Sequence, residues 1–262
     1  MLTFVGLGLY DERSITIAGR DAIRSADSVY AEFYTSRLAG VSLDDLEAFH
    51  DVDIDVRDRS GVEEDPEAIL AAAAAGEAVF LTAGDTMIST THVDLRLRAE
   101  QRGIETRVIH GTTAQTAASS LTGLQNYRFG KATTVPFEYS HGTDGVPESV
   151  IETIETNQQR DLHTLVFLDI TVDDEREAYM SGTVAARLLA EHYRPDALGV
   201  VVARAGSPDP AVQAGRLADL ALRNYGDPLH LLIIPGSLHL LERDALATLA
   251  DAPSDVLEES LA

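Results

Sequence analysis

Short apolar runs alternate with longer amphipathic stretches along most of the chain, and this alternation constrains the fold more than any other feature. Continuous apolar runs are typical of strands covered on both faces, and amphipathic stretches between them are typical of crossover helices. The predicted strands are residues 2–9, 28–34, 78–83, 106–110, 132–137, 163–170, 198–203 and 230–234. The predicted helices are residues 14–26, 65–75, 91–102, 113–121, 146–156, 184–192, 212–223 and 241–249. This order predicts an α/β protein.

The middle of the chain contains the predicted domain boundary. A chain of 262 residues is long enough for one large or two small domains. Glycines punctuate the region around Gly111, where clear strand and helix units give way to shorter, Thr-rich pieces. We therefore predict an N-terminal α/β domain over residues 1–111 and a C-terminal α/β domain over residues 112–262. The acidic segment 51–64 is predicted to be an exposed connection or an edge strand.

The charge balance limits the partners that the chain can bind. It has 43 Asp and Glu against 20 Lys and Arg, a net charge of -23, while 45% of its residues are hydrophobic. Nucleic acid and anionic membranes attract positive surfaces, so we expect neither as a partner. Lys131 is the only lysine. Acidity alone would not remove the lysines, so this composition favours a very salty cytoplasm over the alternative, an unusually acidic protein of an ordinary cytoplasm.

The sequence has no signal for a disulfide, a metal site, a covalent nucleophile motif or a membrane segment. There is no cysteine, which excludes disulfides, thiolate nucleophiles and Cys-based metal sites. The histidines show no metal-ligand spacing, and the Gly-x-Ser-x-Gly and Walker A patterns are absent, so no metal site is expected. No basic and then apolar N-terminal segment is present, and no apolar run approaches the ~20 residues that cross a bilayer. We expect a cytoplasmic protein.

The first predicted strand ends in the turn Gly6-Leu7-Gly8-Leu9-Tyr10-Asp11. In a dinucleotide-binding fingerprint, a third glycine would stand at the position of Asp11 and bring a helix N-terminus to a pyrophosphate. A carboxylate there repels phosphate, so the turn disfavours an NAD or FAD site. A sharp exit from the strand explains Gly6 and Gly8 equally well.

Small or acidic residues also follow other predicted strands. Asp85, after Gly84, could hydrogen-bond a ribose, attract a cation or cap the helix that follows. The other strand ends are His110-Gly111-Thr112-Thr113-Ala114, Phe167-Leu168-Asp169-Ile170 and Ala203-Arg204-Ala205-Gly206-Ser207, while Asp227-Pro228-Leu229-His230 precedes the last predicted strand. Ligands of open α/β sheets bind beside such strand ends. Because no nucleophile and base pair is evident among them, the pattern predicts a ligand held largely by backbone groups.

Several of these stretches resemble a known family. The stretches are Phe4-Val5-Gly6-Leu7-Gly8-Leu9-Tyr10-Asp11-Glu12-Arg13, Ala31-Glu32-Phe33-Tyr34-Thr35-Ser36, Gly84-Asp85 with Thr90-Thr91-His92, and Ala203-Arg204-Ala205-Gly206-Ser207. They resemble archaeal diphthine synthases, which belong to the tetrapyrrole-methylase-like, S-adenosylmethionine-dependent enzymes. The likeness runs from Met1 to the predicted C-terminal helix. Leu9-Tyr10-Asp11-Glu12 stands where the wider group commonly has Pro-Gly-Asp, which favours diphthine synthase over a corrin or porphyrin methylase.

The resemblance implies a fold, a reaction and a set of contacts. The fold is two α/β domains with S-adenosylmethionine in the cleft between them, in a homodimer. The substrate is elongation factor 2 with an aminocarboxypropyl-modified histidine, whose amino group is trimethylated in the second step of diphthamide biosynthesis. The implied cofactor contacts are Leu9, Asp85, Ile88, Thr113, Ala114, Leu168, Ala205 and His230. Tyr10, Asp11 and Arg13 are secondary candidates for the substrate side.

Two of the implied contacts, Thr113 and Ala114, lie where the chain departs from the family pattern. Thr112-Thr113-Ala114 replaces the Pro-Ser-Ile expected in relatives, a change that backbone contacts tolerate and a side-chain contact from Ala114 does not.

Methyl transfer from a sulfonium to an amine is an in-line displacement with a neutral leaving group, so alignment can supply much of the acceleration. The amine must lose a proton before each attack, and the sequence does not identify the group that receives it. No catalytic residue is therefore predicted. Three alternatives stay open: a tetrapyrrole methyltransferase of the same fold, a non-catalytic binding module, and a nicotinamide-dependent oxidoreductase.

Overall fold

The structure, a computed structural model, describes residues 1–142, 145–172 and 176–259. The chain forms two compact units, Met1–Ala114 with Ile170–Glu177 and Gln115–Asp169 with Ala178–Ala262. Both units combine helices with a five-stranded sheet, so the predicted α/β class is confirmed. The domain ranges 1–111 and 112–262 stay a prediction, since the compact units divide after Ala114 and group residues 170–177 with the first unit. Residues 260–262 of the second predicted domain lie outside the described residues.

The helices and strands are numbered along the chain. The strands are β1 (Leu2–Gly6), β2 (Ser28–Glu32), β3 (Asp55–Val56), β4 (Ala78–Thr82), β5 (Thr106–Ile109), β6 (Thr133–Val135), β7 (Thr164–Leu168), β8 (Ile170–Val172), β9 (Glu177–Tyr179), β10 (Leu198–Ala203), β11 (Ala211–Arg216) and β12 (His230–Ile234). The helices are α1 (Ile17–Ser25), α2 (Leu43–His50), α3 (Glu67–Ala75), α4 (Val93–Gln101), α5 (Ala114–Thr122), α6 (Glu138–His141), α7 (Glu148–Gln158), α8 (Gly182–His192), α9 (Leu217–Leu220), α10 (Leu240–Leu249) and α11 (Ser254–Glu259).

The first unit is built on a parallel sheet in the order β3-β2-β4-β1-β5. Successive side chains of a strand point to opposite faces, and both faces of this sheet are covered. Phe4 and Phe80 pack on one face with residues of α3 and α4, while Val5 and Leu81 pack on the other with residues of α1 and α2. This two-sided burial explains why β1 and β4 are continuous apolar runs.

The second unit has a mixed sheet in the order β11-β10-β12-β7-β6. Strand β10 is antiparallel to β11 and β12, β12 is antiparallel to β7, and β6 is parallel to β7. Its core includes Val166, Val201 and Leu232 from the sheet, with Ile154 of α7 and Leu189 of α8 packed among them. Strands β8 and β9 pair separately as a two-stranded ribbon.

The predicted helix over residues 212–223 is wrong. Strand β11 occupies its first part, and only Leu217–Leu220 is helical. All six residues of β11 pair with β10, and the outward-facing Ala214 N–H donates to the Ala250 carbonyl at 2.8 Å. Tertiary pairing of the backbone thus overrides a weak helical pattern. Segment 51–64 was predicted to be an exposed connection or an edge strand. It contains β3, which is an edge strand, and the π-helical turn Ser60–Glu64.

Three helices and three strands of the structure differ from the sequence-based prediction or are absent from it, namely α2, α6, α11, β8, β9 and β11. Within the described ranges, no helix is both long and apolar enough to cross a membrane.

Candidate active site

The turns that follow β1, β4 and β5 converge on glycine backbone in the first unit. Strand β1 lies between β4 and β5, and a Cβ added at Gly6 would lie 2.5 Å from both the Gly84 carbonyl oxygen and the Gly111 nitrogen. Gly8 and Gly84 exchange backbone hydrogen bonds of 3.1 and 2.7 Å. Because Gly6 has no side chain, the turns after β4 and β5 can approach each other over the end of β1.

Asp85 lies at this convergence and is almost completely buried, with 5% of its surface exposed. Its Oδ1 accepts the Met87 N–H at 2.9 Å, and its Oδ2 accepts the Gly111 N–H at 3.2 Å. The same Oδ2 lies 2.8 Å from His110 Nδ1. The N-cap residue of α4 is His92, so Asp85 does not cap that helix. Its carboxylate instead ties the turn after β4 to the turn after β5.

The other cofactor candidates of the first unit lie in these same turns. Leu9, Thr113 and Ala114 are half-buried, and Ile88 is 45% exposed. The hydrogen bonds from Gly8 to Gly84 and from Gly111 to Asp85 bring the three turns together.

The secondary candidates of the first turn have mainly structural contacts. The Tyr10 carbonyl accepts the Gly40 N–H at 2.7 Å, and Asp11 Oδ1 accepts the Arg13 N–H at 3.0 Å at the start of the 3-10 turn Glu12–Ser14. The Arg13 side chain is exposed and lies 3.6 Å from Glu12.

In the second unit, the remaining three candidates lie at or just beyond neighbouring ends of the strands β7, β10 and β12. Ala203 of β10 pairs with His230 of β12, so Ala205 follows close to His230. The antiparallel register of β12 with β7 pairs Leu232 with Val166, which places Leu168 beside the start of β12. Leu168 and His230 are buried, and Ala205 is half-buried.

Both ring nitrogens of His230 are used within the second unit. Nδ1 accepts the Gly182 N–H at 2.9 Å, and Nε2 donates to the Asp227 carbonyl at 2.9 Å. Burial lowers the pKa of this imidazole and outweighs the opposing hydrogen bond to Asp227. The ring is therefore neutral and holds the N-terminus of α8, so a ligand can contact His230 through ring carbons or backbone.

A buried pair, Glu32 and His92, was missed from the sequence although both residues stand in the motifs that carry the resemblance. Glu32 Oε2 accepts the Tyr34 and Thr35 N–H groups at 3.0 Å, and its Oε1 lies 3.5 Å from His92 Nε2. The other ring nitrogen, Nδ1, lies 3.3 Å from the Thr86 carbonyl oxygen. Burial raises the pKa of Glu32 and lowers that of His92 to about 4. Glu32 therefore binds the backbone of the turn after β2, and His92 contacts the turn after β4 and lies beside Glu32.

No group of three or more His, Cys, Asp or Glu side chains in residues 1–142, 145–172 and 176–259 is arranged to hold a metal ion.

Comparison with known proteins assigns the class of the chain. The family model of the Tetrapyrrole (Corrin/Porphyrin) Methylases matches residues 1–221. The chain therefore belongs to the tetrapyrrole methylase family, and it is a methyltransferase.

Its relatives within that family are diphthine synthases. The diphthine synthase of Halorubrum lacusprofundi is 68% identical over 266 residues, covering 99% of this chain and 100% of the relative. That of Natronomonas pharaonis is 65% identical, covering 99% of both chains. A crystal structure of diphthine synthase has a TM-score of 0.89 at 38% identity and covers 98% of each chain. These findings confirm the resemblance and give no support to the tetrapyrrole-methylating alternative.

Proposed function

We propose that this protein is the S-adenosylmethionine-dependent methyltransferase that trimethylates the aminocarboxypropyl-modified histidine of elongation factor 2. The product is diphthine, formed in the second step of diphthamide biosynthesis. Full-length identity of 68% to a diphthine synthase carries the proposal. The resemblance further supports a homodimer that works in the cytoplasm beside the translation factor, and sedimentation of the purified protein tests the dimer.

The residues at the strand ends fit S-adenosylmethionine better than a dinucleotide. The cofactor has no phosphate, so the buried Asp85 carboxylate does not repel it as it would a pyrophosphate. Gly84 has a φ of +80°, and nothing lies within 4 Å of a Cβ built there, so a ligand can approach this backbone closely. When bound, the cofactor supplies the methyl group and leaves as S-adenosylhomocysteine.

The proposed cofactor contacts are the residues that the resemblance implies. The first unit contains Leu9, Asp85, Ile88, Thr113 and Ala114, and the second contains Leu168, Ala205 and His230. Asp85 and His230 fix the backbone of their turns through the hydrogen bonds described above, and backbone groups then orient the ligand.

The decisive test is mass spectrometry of elongation factor 2 that carries the modified histidine, after incubation with the enzyme and S-adenosylmethionine in molar KCl. We expect the mass of three added methyl groups. Elongation factor 2 with an unmodified histidine is the matched control and should gain no mass.

Calorimetry with S-adenosylmethionine separates the ways in which the proposal can fail. Saturable binding without methylation of elongation factor 2 would contradict the substrate and reopen the search among tetrapyrroles. No saturable heat would contradict the cofactor and favour a binding module.

A further inference from the structure

Asp85 and His110 form a pair of one buried carboxylate and one exposed imidazole. The Asp85 side chain is 3% exposed and the His110 side chain is 75% exposed, although Oδ2 and Nδ1 are only 2.8 Å apart. Among the described residues, the His110 ring makes one hydrogen bond, the bond from Nδ1 to Asp85. Since Oδ2 accepts, Nδ1 carries the hydrogen, and the free lone pair of the neutral ring is on Nε2 at the opposite side of the imidazole.

The proposed reaction needs a proton acceptor that no contact described above supplies. The substrate amine starts as an ammonium group, and a nitrogen attacks a sulfonium methyl only through a free lone pair. Each transfer forms one N–C bond, breaks one S–C bond and leaves the nitrogen positively charged. One proton must therefore leave before each of the three attacks, and the third attack produces a quaternary nitrogen with no proton left.

We propose that His110 is the general base that takes these protons at Nε2, with Asp85 holding the ring in the Nδ1–H tautomer. This inference rests on the proposed function. A carboxylate that orients an imidazole through Nδ1 and leaves Nε2 to receive a proton is a recurrent arrangement of catalytic bases. His110 passes each proton to water before the next transfer, since its ring is open to solvent.

Its position and exposure distinguish His110 from the other histidines described at strand ends. It directly precedes Gly111 and the proposed cofactor contacts Thr113 and Ala114. His92 and His230 are buried, and burial lowers the pKa of each ring, so neither is suited to collect a proton from a bound substrate. The buried Asp85 carboxylate accepts N–H groups from Met87, Gly111 and the His110 ring. It is therefore a positioning residue for His110.

The tautomer gives a test that does not depend on activity. In the ligand-free protein, nitrogen-15 correlation spectra of the neutral His110 ring should show a protonated Nδ1 and an unprotonated Nε2. Free histidine favours the opposite tautomer, so this pattern would show that the hydrogen bond to Asp85 sets the tautomer of His110 in solution and leaves Nε2 able to accept a proton. An Nε2–H tautomer of His110 would overturn the proposal.

The activity test uses His110→Asn, because the asparagine amide can still donate to Asp85 Oδ2 but offers no base. We expect single-turnover methylation to fall about 100-fold or more, the usual contribution of a general base. The affinity for S-adenosylmethionine, measured by calorimetry, should stay at the wild-type value. His192→Asn is the matched control, since His192 is an exposed histidine at the end of α8, and it should methylate at the wild-type rate.

Chemical rescue shows whether a His110 variant is slow because it lacks a base or because the site has changed its structure. In His110→Ala, added imidazole should restore methylation, and imidazole should have no effect on His192→Asn. A His110→Asn variant with the wild-type rate would overturn the proposal, and so would a loss of rate that only follows a loss of cofactor affinity. Wild-type enzyme that binds the cofactor but does not methylate elongation factor 2 would overturn the proposed function and this base with it.

Discussion

At the scale of single residues, Gly6 decides whether the turns around Asp85 can form. A Cβ at this position would meet backbone atoms of Gly84 and Gly111 at 2.5 Å, and backbone cannot move aside as a flexible side chain can. We expect Gly6→Ala to lower the free energy of unfolding by about 1–3 kcal/mol, the usual cost of overpacking. Urea unfolding in molar KCl measures this difference.

The control for this prediction is Gly215→Ala in β11, where the nearest atom to the new Cβ is 3.6 Å away, an ordinary contact. Both substitutions place alanine in a strand. Equal stability of the two variants would show that the close approach at Gly6 does not constrain the turns.

A second residue, His50, makes stability depend on pH. Burial, reinforced by the charges of Arg24 and Arg20, lowers the pKa of its imidazole to about 4, against 6.5 for an ordinary histidine. Between these pH values the unfolded chain binds a proton at His50 that the folded chain does not. The contribution of His50 to the free energy of unfolding is therefore fully present above pH 6.5 and is lost as the pH falls toward 4. For this histidine the loss between pH 7.5 and 5 is about 2 kcal/mol.

The measurement compares urea unfolding of the wild type and of His50→Leu at both pH values and one salt concentration. Within the described residues neither nitrogen of His50 has a hydrogen-bond partner, so the apolar variant loses no such bond. It should lose less stability on acidification than the wild type does. Glu32, whose pKa burial raises, acts in the opposite sense, but its effect cancels between the two proteins. Parallel pH curves would contradict the assignment to His50.

At the scale of elements, the N-terminus of α8 depends on two side chains from different parts of the chain. Ser181 accepts the Val184 N–H at 3.2 Å, and His230 accepts the Gly182 N–H at 2.9 Å. We expect Ser181→Ala to cost about 1 kcal/mol and His230→Phe about 1–3 kcal/mol, since the latter leaves a buried N–H unpaired. Thermal unfolding measures both.

The cap of α1 supplies a comparison. Thr16 accepts the Gly19 N–H at 3.1 Å and lies in the other unit, so Thr16→Ala should cost about as much as Ser181→Ala. A His230→Phe protein as stable as the wild type would contradict the capping role of this ring.

The elements also show which parts of the fold the sequence can predict. Strands β1, β4, β10 and β12 are buried along their whole length, so their apolar runs identify them directly. Strand β11 lies at a sheet edge and is only partly buried, so its pattern does not distinguish strand from helix. Helix α2 begins at a Ser42 cap inside a polar stretch. Its sequence lacks a strong apolar stripe, so the pattern does not predict this helix.

The candidate site is predictable in its location but not in its contacts. Glycines and Asp85 after apolar strands indicated strand-end turns, because that signal is local. The bond from Asp85 to His110 joins turns that follow non-adjacent strands and depends on β1 lying between them. The pairing of Glu32 with His92 depends equally on sheet order. Contacts of this kind are set by topology and leave no local pattern.

At the scale of the whole molecule, the net charge of -23 sets the solvent in which the protein is stable. The Debye length is about 30 Å at 0.01 M salt and about 3 Å at 1 M, so repulsion among surface carboxylates is screened only in concentrated salt. We expect the melting temperature to rise from dilute to molar KCl, and methylation of elongation factor 2 to persist or increase over the same range.

A variant that removes charge separates screening from other effects of salt. Glu105, Glu152 and Glu191 are exposed, so Glu105→Gln, Glu152→Gln and Glu191→Gln together remove three negative charges with little change in packing. In dilute buffer the triple variant should be more stable than the wild type, because it has less repulsion to overcome, and the difference should vanish in molar KCl. A stability difference independent of salt, or a steep loss of wild-type activity on adding KCl, would contradict adaptation of this acidic surface to high salt.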